Sequence, residues 1–132
     1  MSADYSFKPY FLTAFHCLDS DCSESLSSAE QNAVNQWTFI FNYKKGCGNG
    51  AINTGVSYNG AIFRAGNFDS DFALLELLSN LTNASNPHAW LGWDRSGNTP
   101  SSGTYIHHPN GAPMKISFDY QPLALKTESI LW

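Results

Sequence analysis

Tyr10-Phe11-Leu12-Thr13-Ala14-Phe15-His16-Cys17 is the stretch on which the reading of this chain turns. Tyr10–Thr13 has the apolar, aromatic and β-branched composition of a strand. The strand runs into a small residue, Ala14, and then into a histidine followed by a cysteine. A histidine at the end of an apolar strand is a candidate general base, because its proton equilibrium lies near neutral pH. In acyl transfer such a base takes the proton of an attacking hydroxyl and later gives it to the leaving amine. It needs a carboxylate on its other ring nitrogen, to set the tautomer and to stabilise the imidazolium. Taken alone, His16 reads as readily as a core or surface histidine with no chemical role.

The carboxylate has a good candidate in Asp71, within Asp69-Ser70-Asp71-Phe72-Ala73-Leu74-Leu75-Glu76-Leu77. An acid set directly against an apolar run is poorly hydrated and needs a partner. Asp69 competes, but Asp71 abuts the apolar run. The plainer alternative is a loop acid or a turn cap. A nucleophile is harder to find.

The totals limit the alternatives. The chain has 132 residues, about one ordinary domain. Nine Phe, six Tyr and four Trp with only 14% charged residues make a globular rather than a disordered composition. The net charge is −4, and the seven basic residues are scattered singly apart from Lys44-Lys45. No basic stripe is present to neutralise phosphates, so nucleic acid is not an expected partner. No apolar run approaches the roughly 18 residues of a membrane span. Met1-Ser2-Ala3-Asp4 lacks the charged and apolar regions of a signal peptide. Either a signal lies upstream and has been removed, or Met1 is an artificial start.

Three cysteines, Cys17, Cys22 and Cys47, are an odd number with no zinc-type spacing. They read as disulfide candidates of a secreted protein, with at least one left unpaired within the chain; independent thiols are the plainer alternative. No cofactor is expected. Adjacent histidines in a strand point to opposite faces, so His107-His108 is not expected to hold a metal.

Strand-like segments dominate. Beyond Tyr10–Thr13 they are Trp37–Tyr43, Gly55–Gly66 with Asn59-Gly60 as a tight turn, Phe72–Leu78, Trp90–Trp93, Thr104–His107 and Met114–Tyr120. Gly46–Gly50 and Ser79–His88 read as connections. One helix is expected near Ser28–Trp37, capped by Ser28. Glu76 is expected to face solvent at a sheet edge, and Trp90 and Trp93 to belong to the core. Many short strands with Gly, Asn and Pro turns predict an all-β barrel or sandwich. Asn80-Leu81-Thr82 and Asn83-Ala84-Ser85 are glycosylation sequons, meaningful only in a source that glycosylates.

Phe11–Cys17 resembles the segment that carries the catalytic histidine of trypsin-like serine proteases. Asp71–Leu77, Gly92-Trp93-Asp94-Arg95 and Ile106-His107-His108-Pro109 follow in order, and Trp37–Cys47 is an aromatic strand ending in a Lys-Lys-Gly-Cys loop. Together they resemble the lysyl endopeptidase branch of that family, from about residue 8 to about residue 118. The resemblance implies a secreted double β-barrel endopeptidase that acts on protein or peptide substrates and prefers a basic P1 residue. His16 would be the general base and Asp71 its orienting acid. Cys17 and Cys47 would be disulfide cysteines whose partners lie upstream, and Cys22 has no counterpart.

A double barrel needs roughly 200–250 residues. The expected fold is therefore a mostly β, incomplete trypsin-like double barrel. Residues 1–80 would form a partial first barrel with the histidine and the aspartate, and residues 81–132 the connection and the start of the second. In the resembled family the serine follows the regions matched here, in a Gly-x-Ser-Gly context whose N–H groups form the oxyanion hole; nothing after Pro109 has that form, since Ser117 lies in a strand-like run and Ser129 near the end. Ser101-Ser102-Gly103 precedes the His-His-Pro segment and reads as a turn. The expectation is a serine endopeptidase chain that is inactive alone. The alternative is a non-catalytic, protease-like β module kept for binding. Open sheet edges would be satisfied by a homodimer or by strand exchange.

Overall fold

The structure is a computed structural model that describes residues 7–81, 88–94 and 96–124. It is mostly β, with several small sheets, none of which closes into a barrel among the described residues. Two compact units share the chain. The first takes Met1–Phe41 and Gly55–Trp93, the second Asn42–Thr54 and Asp94–Trp132.

The first unit holds every buried apolar residue described. Its larger sheet has the order β1 (Tyr10–Thr13), β7 (Phe72–Leu77), β6 (Ala61–Asn67), all antiparallel. Strand β7 is central, and its Ala73, Leu75 and Leu77 are buried on one face. That is why Asp71–Leu77 reads as an almost continuous apolar run. A second, two-stranded sheet pairs β2 (Thr38–Phe41) with β5 (Val56–Asn59). Phe11 of β1 packs edge-on against Phe39 of β2, with ring centroids 5.1 Å apart, so an aromatic layer joins the two sheets. Leu18, Val34, Phe39, Ala61, Leu75 and Leu81 are among the residues that complete the core.

The helix is shorter than the sequence suggests. α1 spans Ser28–Ala33 and continues as a 3-10 turn at Val34–Gln36. Its N-cap is Ser27, not Ser28. The Ser27 hydroxyl accepts the Glu30 N–H, and the Glu30 carboxylate accepts the Ser27 N–H at 3.0 Å, a reciprocal capping box.

Several expectations are corrected. Asn59-Gly60 does not close a hairpin, because β5 pairs with β2 while β6 pairs with β7. Gly60 is instead a buried corner between sheets, with φ +79°; its N–H donates to the Trp37 carbonyl and its own carbonyl accepts the Leu78 N–H. Glu76 lies on the central strand rather than at an edge. A register shift between Phe63 and Ala65 marks a bulge in β6, and Arg64 within it donates from Nε to Glu76 Oε2 at 2.7 Å. Trp90–Trp93 forms no strand. Trp90 packs half-buried against the core, but Trp93 is 65% exposed.

The second unit carries two hairpins. β3 (Lys44–Lys45) pairs with β4 (Ile52–Asn53), and β8 (Gly103–His107) pairs with β9 (Lys115–Asp119). The β8–β9 pair leaves Ile106, Ile116 and Phe118 exposed. No helix among the described residues is long and apolar enough to cross a membrane.

Candidate active site

The chain leaves β1 at Thr13 and makes one 3-10 turn, Phe15–Cys17. Phe15 is buried and anchors this turn, which turns His16 outward. Neighbouring β7 begins one residue after Asp71, and Thr13 pairs with Ala73 across the ladder. That register is what brings the two residues together, because each lies just beyond the end of a paired strand. The Phe15 N–H then donates to the Asp71 carbonyl at 3.3 Å and extends the pairing past the last rung.

The Asp71 carboxylate meets His16 twice. Oδ1 accepts the His16 backbone N–H at 3.0 Å. Nδ1 of the imidazole lies 2.8 Å from Oδ2 and 3.1 Å from Oδ1. Burial alone pushes the Asp71 carboxyl up. The His16 N–H, the imidazole and a further backbone bond from Phe15 outweigh this and hold it below its ordinary value. An ionised carboxylate has no proton to give, so Nδ1 carries the ring proton and Nε2 is the basic nitrogen of the neutral ring. Side-chain exposure is 45% for His16 and 28% for Asp71, so the pair sits at a surface that a substrate can reach.

Asp71 itself has φ +47°, in the left-handed region. The turn before it supplies the restraint. Asp71 N–H donates to the Phe68 carbonyl at 3.0 Å, and Asn67 Oδ1 accepts both the N–H and the hydroxyl of Ser70. Asp69, the competing acid, stands exposed in this turn.

Cys17, Cys22 and Cys47 are free, exposed thiols, with no disulfide among them. His108 stacks on Tyr43 at 6.0 Å, and its Nδ1 lies 3.0 Å from the Ala112 carbonyl. Neither His107 nor His108 joins a group of metal-ligating side chains. The one such group among the described residues is Asp19, Asp21 and Glu30. Its carboxylates are already engaged by the protein: Asp19 accepts the N–H groups of Ser23 and Glu24, and Glu30 accepts N–H and hydroxyl bonds from Ser20 and Ser27. Asp19 and Asn67 carry no signal in the sequence that marks them, and Glu30 reads there only as a first-turn residue of the helix. Ser27-x-x-Glu30 is the capping signature that gives Glu30 its role; Asp19 and Asn67 acquire theirs only from the loops they close. Thr82 of the first sequon, the whole of the second, Arg95 and Ser129 lie outside the described residues.

The first unit also has two clefts. One of about 520 Å³ runs between Phe15, Phe63, Phe68 and the loop at Glu24–Leu26. The other, of about 530 Å³, is lined by Phe11, Leu12, Phe41, His88, Trp90 and Trp93, with Tyr58 Oη 2.8 Å from His88 Nε2 at its wall.

The chain is mostly β, and it joins a histidine to an aspartate just beyond one strand pair. The family model for the lysyl endopeptidase C-terminal domain matches residues 2–130. The chain belongs to that family.

Proposed function

We propose that this chain carries the general base and the orienting acid of a serine endopeptidase, with His16 and Asp71 in those roles. The observation that carries the reading is the double engagement of His16 by one carboxylate. The backbone bond fixes where the residue starts, and the Nδ1 bond fixes how the ring turns. Together they leave Nε2 as the nitrogen that takes a serine proton and returns it to the leaving amine. The reaction is peptide-bond hydrolysis through an acyl-enzyme, with protein or peptide as substrate. A preference for a basic P1 residue and secretion follow from family membership alone.

The sequence contains no Gly-x-Ser-Gly nucleophile. We therefore expect the 132 residues alone not to hydrolyse peptides, since catalysis without a triad member is residual. Residues 1–80, with the histidine and the aspartate, would be part of a first β-barrel, and residues 81–132 the connection to a second and its start. The separate core of the first unit favours a second reading, a protease-like module kept for binding.

Labelling by a fluorophosphonate probe, read by intact mass beside His16→Ala, tests the first reading. No adduct is expected. A stoichiometric adduct lost in His16→Ala would place an activated serine within this chain and overturn the expectation of inactivity. Absence of a His16 Nδ1–H signal that depends on Asp71 in the proton NMR spectrum of the native chain would overturn the pair itself.

A further inference from the structure

We propose that Asn67 is a positioning residue for the His16–Asp71 pair: its side-chain carbonyl locks the turn from which Asp71 reaches the histidine. The inference rests on reading that pair as the general base and its orienting acid.

Asn67 ends β6 and faces Phe72, the first residue of β7, across the ladder. Four residues, Phe68–Asp71, close the connection. The last of them must take φ +47°, a left-handed conformation that is unfavourable for a non-glycine residue. Such a conformation persists only where the surroundings over-determine it. One restraint comes from the histidine side, through Phe15 N–H and His16 N–H. The other comes from within the turn. Asn67 Oδ1 holds the Ser70 N–H at 2.9 Å and the Ser70 hydroxyl at 2.7 Å. Ser70 directly precedes Asp71, so these bonds pin the Asp69–Ser70 peptide and the Ser70 side chain, and with them the point from which the chain turns into Asp71. Without them the turn can relax toward ordinary φ, and the carboxylate swings away from Nδ1.

The test is proton and carbon NMR of the intact chain. Wild type is expected to show a protected His16 Nδ1–H resonance and an Asp71 carboxyl that titrates below the usual carboxylate range. Asn67→Ala is expected to broaden or abolish that resonance and to move the carboxyl midpoint upward, while the amide signals of β1 and β7 stay dispersed. Asn67→Asp, which keeps the acceptor oxygen, should retain the resonance. If Asn67→Ala fails to fold, Ser70→Ala serves, since it removes one of the two bonds; it should weaken the resonance in part. An unchanged resonance and midpoint in the folded variant would overturn the role of Asn67 while leaving the pair intact. Absence of any Asp71-dependent Nδ1–H signal in wild type, with Asp71→Asn as reference, would instead overturn the pair, and with it the reading on which this inference rests.

Discussion

Asp71 holds His16 by main chain and side chain at once, with Oδ1 3.0 Å from the His16 nitrogen and Oδ2 2.8 Å from Nδ1. A carboxylate can do this because both of its oxygens accept and neither donates. The two bonds fix different degrees of freedom. The first ties the carboxylate to the start of the 3-10 turn, and the second sets the ring within it.

Asp71→Asn replaces one accepting oxygen by a donating amide. If the carbonyl keeps the His16 N–H, the amide faces Nδ1, and the ring proton must move to Nε2. Nitrogen NMR should report this exchange of tautomer, which would leave the ring unable to accept a serine proton. Hydrogen bonds to charged groups are worth about 1.5–3 kcal/mol, and partial exposure lowers this. Urea unfolding should show a loss of about 1 kcal/mol. An unchanged tautomer would argue against the role given to Asp71.

Glu30 sets part of the acid sensitivity. Hydrogen bonds from Ser20 and Ser27 hold its carboxyl at about 2, against an ordinary 4.5. A folded value below the unfolded one means that the stabilisation is complete above the unfolded value and is lost as pH falls toward the folded one. The loss should therefore run from about 4.5 down to about 2. Asp71, also lowered, adds to the same acid limb. Denaturant midpoints measured across this range should fall less steeply for Glu30→Gln than for wild type, and parallel curves would contradict the network.

Gly60→Ala should be strongly destabilising. A Cβ there would lie 2.8 Å from Leu78 Cδ1 and 2.9 Å from the Asn35 carbonyl, at φ +79°. Left-handed strain and crowding together amount to about 2–4 kcal/mol. Thermal unfolding reads this directly, and a neutral outcome would mean that the corner between the sheets is not packed as described.

Strand β1 is an edge of its sheet, and Leu12 on it is 68% exposed. Such an edge invites pairing with another chain. We expect concentration-dependent self-association in sedimentation velocity, weakened by Leu12→Lys. A monomer at all concentrations would instead favour the self-contained binding module.

Much of this was legible in the primary sequence. Thr13-Ala14-Phe15-His16 and Asp71-Phe72-Ala73-Leu74 are local patterns, in which an apolar strand stops beside one polar residue, so the strands can be read directly, while the pairing of His16 with Asp71 is an expectation strengthened by the family resemblance. Other features were not legible, because they depend on which strands pair. Asn59-Gly60 has the same composition in a hairpin as in a corner, and only the pairing of β5 with β2 and of β6 with β7 separates the two. Glu76 reads as an edge residue from its neighbours alone, and only the pairing of β7 with both β1 and β6 makes its strand central.

By itself, then, the amino-acid order determined a mostly β chain, its family likeness and the choice of Asp71 over Asp69. Local propensity and apolar patterning act over a few residues and need no partner. Only the tertiary structure decided that Thr13 lies opposite Ala73, which sets His16 against Asp71. It alone showed the left-handed backbone of Asp71 and the Asn67 turn beneath it. Register and hydrogen bonding between distant segments are cooperative, set by the burial of Ala73, Leu75 and Leu77 on one face of β7.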